Sequence, residues 1–151
     1  MSNDMKACAG FIIGSTRRVI LKELNAAFIE HNIPLTIEQY IFLHTLKRQD
    51  GEVTQQDMAN LTCKDKSTVL RTIDILEKMG LVQRLGDTED RRKKILKITA
   101  KCKKTFDEIL DIENSTMKKL TTGICQEDYE AMVRVMNRIQ ENAHPSNKAD
   151  K

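Results

Sequence analysis

Lys66, Ser67, Thr68 and Arg71 place two cations and two hydroxyls within two turns of one short stretch. Asp90-Arg91-Arg92-Lys93-Lys94 forms a second, strongly basic cluster further along the chain. An ammonium or guanidinium can neutralise phosphate, and a guanidinium can also pair with a guanine edge. Hydroxyls can serve bases or phosphates. These residue types suit the recognition of duplex DNA.

No other cluster suggests a reaction. His31, His44 and His144 lie far apart, with no HExxH spacing. There is no GxSxG, P-loop or dinucleotide-binding glycine pattern. Cys102 with Asp107, or His44 with distant carboxylates, could meet in space, but each reads more simply as an ordinary buried or surface side chain. Glu108, Asp111 and Glu113 read as a solvated helix face. The expectation is a protein with no catalysis, no metal and no cofactor.

The elements around the first cluster explain how it is positioned. Asp65 can cap a helix by accepting the free N–H groups of the following turn. Val69, Leu70, Ile73, Leu76 and Met79 recur at helical spacing and predict a buried face. Gly80 supplies a stop. Thr54-Gln55-Gln56-Asp57 opens a shorter helix to about Leu61, and Thr62-Cys63-Lys64 makes a tight turn between the two helices. That order is a helix-turn-helix. Leu81–Leu85 and Ile95–Ile98 are strand candidates around the polar tip 86–94. They predict a β-hairpin wing, with Glu52-Val53 as a short strand pairing to it.

Flanking segments are helical. A long helix is expected over 3–30, with Phe11, Ile12, Val19, Ile20, Leu24, Phe28 and Ile29 on a broad apolar face. Thr36-Ile37-Glu38-Gln39 is a capping-box pattern for a helix to about Arg48. Thr99 can cap a helix over 100–120, with Phe106, Ile109, Leu110, Ile112 and Met117 inward. Tyr129, Met132, Val133, Met136 and Ile139 lie on one side of a last helix, 126–141.

Composition agrees with a helical protein of 151 residues and 31% charged residues. Net charge is only +3, but the stretch from Lys64 to Lys97 holds ten Lys or Arg against six Asp or Glu, so the excess sits on the DNA-reading segment. No apolar run reaches the ~20 residues needed to span a bilayer. The opening residues show no signal core, so a cytoplasmic protein without a membrane partner is expected. Cys8, Cys63, Cys102 and Cys125 are widely spaced and read as thiols. Cys63 sits where a helix N-terminus can lower a thiol pKa, and otherwise reads as a small turn residue packed against the core.

Taken together, Leu35–Leu46 (LTIEQYIFLHTL), the helix-turn-helix and Gly86–Thr99 (GDTEDRRKKILKIT) resemble the MarR family of bacterial transcriptional regulators. Asp90-Arg91-Arg92, just before the second wing strand, is the most specific piece. The resemblance runs from about Phe11 to Asn142. It implies one MarR-like domain over 1–151, mainly α, with a winged helix-turn-helix at about 34–98. The helices at about 3–30 and 100–142 would form a dimerisation region. It further implies a homodimeric regulator, a repressor in the first reading, bound to a pseudo-palindromic operator in double-stranded DNA. A small aromatic or phenolic effector would sit near the first helix, the Tyr40–His44 segment and the start of the Thr99 helix. Where relatives often have glycine, this chain has Cys102.

Within that frame Lys66, Ser67, Thr68 and Arg71 would enter the major groove. Residues two apart on an extended segment share a side, so Asp90 can hold Arg92 toward an A·T-rich minor groove. Arg91, Lys93 and Lys94 would meet phosphates. Two other readings remain open: a regulator controlled through a cysteine thiol, and a winged-helix module that docks proteins.

Overall fold

A computed structural model of the chain describes residues 3–86 and 94–143. The elements are α1 (Asn3–Glu30), α2 (Ile37–Lys47), β1 (Val53–Thr54), α3 (Gln55–Thr62), α4 (Lys66–Lys78), β2 (Val82–Gly86), β3 (Lys94–Ile98), α5 (Ala100–Leu120) and α6 (Gln126–Ala143). They fall into two compact units, 1–117 and 118–151. The fold is mainly α with one small sheet, the winged helix-turn-helix expected from the sequence.

Local chemistry sets most boundaries. α1 stops where Asn32 adopts a left-handed φ of 54°. Thr36 and Gln39 form the capping box that opens α2, with contacts of 3.2 and 3.0 Å. Thr54 and Asp57 repeat the device for α3: each side chain receives the other's backbone N–H, at 3.2 and 2.8 Å. α3 ends at Cys63, whose φ of 52° turns the chain sharply. Gly80 does the same after α4 at φ +72°, a conformation that suits a residue without Cβ. Thr99 accepts from the Cys102 N–H at 3.1 Å and starts α5.

The sheet has strand order β1-β3-β2 and is antiparallel throughout. Val53 pairs with Leu96, and β2 pairs with β3 from Val82↔Ile98 to Gly86↔Lys94. The short first strand is shifted by one residue from the expected Glu52-Val53, because Thr54 both ends β1 and caps α3.

In the first unit, Met58, Ile73 and Leu76 are fully buried at the centre of the helix-turn-helix. Phe28, Leu43, Val82 and Ile109 extend the same core across α1, α2, the sheet and α5. Cys102 is buried in this core.

Four expectations are corrected. Leu70 is exposed, not part of the buried face of α4. Successive residues turn by roughly 100° around a helix. Val69, Ile73 and Leu76 already fill the inward sector, so Leu70 falls beside it. Leu110 is exposed for the same reason, with Ile109 taking the inward place. Cys63 is exposed, because its left-handed turn carries the side chain out of the core. Glu113 is half-buried rather than solvated, and accepts the Tyr40 hydroxyl at 2.8 Å.

In the second unit, Gly123 at φ +83° separates α5 from α6. α6 buries none of its residues, and Met132, Val133, Val135 and Ile139 are exposed.

Candidate nucleic-acid interface

The interface is built on the N-terminal half of α4. Val69, Ile73 and Leu76 anchor one side of the helix in the core. Lys66, Ser67, Thr68 and Arg71 are therefore all exposed. Asp65 fixes where the helix begins by accepting the Thr68 N–H at 2.9 Å. Its carboxylate also receives the hydroxyls of Ser67 and Thr68. The Ser67 hydroxyl bond, then the Thr68 hydroxyl and backbone bonds, hold the Asp65 carboxyl well below the usual carboxylate range.

That arrangement narrows what the hydroxyls can do. A hydroxyl has one proton to give and two lone pairs. With both protons directed to Asp65, Ser67 and Thr68 offer lone pairs outward. They are poised to accept from base amino groups, and would have to leave Asp65 to donate to phosphate.

Lys94 opens β3 opposite Gly86, at the tip end of the wing's strand ladder. It lines an open groove of about 570 Å³ with Thr54, Gln55, Gln56, Asp57, Lys66 and Leu70. The structure thus brings Lys66 and Lys94 to one concavity, between the starts of α3 and α4 and the wing. Gln55 and Gln56 were not expected in this groove; their signal was two amides on the first turn of a capped helix. Asp90, Arg91, Arg92 and Lys93 lie outside the described residues.

Arg84 on β2 also escaped the sequence reading. Its guanidinium donates to Asp74 and to Glu77, one turn apart on α4. Burial lowers its pKa, but the bonds and charges of Asp74 and then Glu77 outweigh this and raise it. The side chain is 18% exposed, so the pair fixes the wing to the recognition helix rather than reaching outward.

A second cavity, of about 490 Å³, lies on the other flank of α4. Arg17 and Leu21 of α1, Ile41 and Phe42 of α2, and Thr68, Val69 and Thr72 of α4 contribute to its walls. It shares α1 and the Tyr40–His44 segment with the expected effector region, but uses α4 instead of the start of α5. That start is filled: Tyr40, His44 and Phe106 pack with ring centroids 5.8 to 6.4 Å apart, and Lys47 covers the Phe106 ring at 4.4 Å. Of the thiols, Cys8, Cys63 and Cys125 are exposed, and burial pushes the Cys102 thiol up.

Residues 35–94 match the family model described as "MarR family". A MarR family transcriptional regulator from Rhodococcus sp. RHA1 shares the fold at TM-score 0.75 and 23% identity, over 96% of this chain and 99% of that one. Another transcriptional regulator of known structure is 28% identical, at TM-score 0.71, over 90% of this chain and 98% of its own. Bordetella bronchiseptica BpsR, whose DNA binding is regulated by 6-hydroxynicotinic acid, aligns at TM-score 0.70 and 20% identity, over 88% and 93% of the two chains. No described helix is long and apolar enough to cross a membrane. Residues 35–94 thus carry a MarR family domain, set in a fold that the chain shares with transcriptional regulators of that family.

Proposed function

We propose that this chain is a homodimeric, sequence-specific repressor of transcription that binds a pseudo-palindromic duplex site and releases it on taking up a small aromatic or phenolic effector. One observation carries the DNA-binding part: a capped helix with its apolar side buried and Lys66, Ser67, Thr68 and Arg71 all exposed, beside a groove that Lys66 shares with Lys94 of the wing. Arg71 would reach a guanine or a phosphate in the major groove. Asp90 would hold Arg92 in the minor groove, with Arg91, Lys93 and Lys94 on phosphates.

The dimer reading is supported by apolar residues left in the open. Phe11, Ile12 and Val19 on α1, and Met132, Val133, Val135 and Ile139 on α6, are exposed in the single chain. Helices at both ends of the chain, 3–30 and 100–142, would pack against a second copy. The effector reading is supported by the cavity beside Thr68, Val69 and Thr72, because an occupant there touches the recognition helix itself. BpsR supplies the precedent for a small aromatic acid.

The test is selection of duplexes from a random library, followed by binding at several salt concentrations. A recovered inverted repeat with half-sites ~34–36 Å apart, and affinity falling steeply with salt, is expected. Salt-insensitive retention with no enriched sequence would favour a protein-docking role instead.

A further inference from the structure

Leu70 is 43% exposed on the flank of α4 that it shares with Lys66, one helical turn earlier. Both line the groove that Lys94 closes on the wing side, with the amides of Gln55 and Gln56 beside them. The fold does not need an apolar side chain at this position. The inward sector of α4 is filled by Val69, Ile73 and Leu76, all buried. Lysine, glutamine or glutamate would serve the helix about as well. Leucine here leaves apolar surface in water, inside a groove otherwise lined by polar and charged residues.

That combination matches one feature of duplex DNA. Cations at Lys66 and Lys94 suit the phosphates on either side of a groove. The apolar group that a base edge offers in the major groove is the 5-methyl of thymine. Deoxyribose is also apolar, but it is the same at every position and can give no sequence preference. We infer that Leu70 is a specificity-determining residue that packs on a thymine 5-methyl group, one per half-site. This rests on the DNA-binding function proposed above.

The experiment replaces each thymine of a selected site, one at a time, by deoxyuridine. That change removes the methyl and leaves base pairing intact. The full chain is expected to lose about fourfold in affinity at one position per half-site, the factor that burying one methyl group is worth. Leu70→Ala should bind the thymine duplex more weakly and no longer distinguish thymine from uracil there. Its salt dependence should be unchanged, because no charge is altered. Selection repeated with Leu70→Ala should lose the thymine at that position. Since Leu70 is exposed and alanine favours helix, an unchanged melting temperature is expected and separates a lost contact from a lost fold. Indifference of the parent chain to deoxyuridine at every position overturns the inference. So does a Leu70→Ala variant that keeps the same penalty at the same position. Failure of the broader reading looks different: no duplex is enriched by either protein.

Discussion

Arg84 and Asp74 join the wing to the recognition helix: the guanidinium on β2 binds the carboxylate on α4, and Glu77 one turn later takes its other arm. The guanidinium is mostly buried while Asp74 and Glu77 are about half exposed. Removing the arginine therefore leaves carboxylates that water can solvate, not stranded charges. Arg84→Ala should cost about 1–2 kcal/mol in urea unfolding, below the cost of breaking a fully buried pair. It should also weaken DNA binding, since two freed carboxylates then stand beside the phosphates and the wing loses its attachment. Unchanged affinity in a destabilised Arg84→Ala would separate the pair from DNA binding.

Arg71 and the two groove lysines should fail in different ways. Arg71→Ala is expected to lose about 1–3 kcal/mol on the selected site and to relax preference at one position, the mark of a base contact. Lys66→Ala and Lys94→Ala should weaken binding evenly across sequences, each reducing the salt slope by about 1. An even loss with Arg71→Ala would move Arg71 to a phosphate.

How much of this was legible depends on the range of each interaction. Thr36 with Gln39, Asp65 with Thr68, and Gly80 after α4 act within four residues, so the order of residues reveals them directly. The hairpin was legible from two apolar runs around a polar tip. Arg84 was not, because its partners lie on another element and nothing local in LVQRL marks the arginine as buried. Apolar spacing identifies a sector only to within one residue's rotation, so it does not separate the exposed Leu70 from the buried Val69. The exposed faces of α1 and α6 show the same limit from another direction, since periodicity marks an apolar stripe but not what covers it.

Those faces make the dimer testable. Phe11 is 73% exposed in the single chain, so Phe11→Glu should leave the fold of the monomer intact. If α1 lies in the dimer seam, the charge should shift sedimentation toward monomer at micromolar concentration and abolish tight binding to an inverted repeat. A Phe11→Glu protein that remains dimeric would place the seam elsewhere.

Tyr40 makes stability depend on pH in a direction that can be worked out beforehand. Its ring packs edge-on against Phe28, with centroids 5.4 Å apart, and its hydroxyl donates to Glu113 on α5 at 2.8 Å. Burial, then the hydrogen bond to Glu113, then the charge of Glu113, raise its pKa above the ordinary 10.0. The neutral phenol is thus favoured in the folded chain, and the unfolded chain gives up this proton first. The stability gained is complete below pH 10 and is lost as pH rises above it. Tyr40→Phe removes both the bond and the titration. At neutral pH the variant should be less stable by about 1 kcal/mol, since Glu113 is half exposed and water can replace the lost donor. Above pH 10 the parent chain loses its advantage while the variant has no such loss, so the gap should close and then reverse. Urea unfolding of both proteins at neutral and alkaline pH reads this directly, because every other titrating group is common to the two. A gap that stays constant, or widens, with rising pH would show that the Tyr40 hydroxyl is not held neutral by its burial and by Glu113.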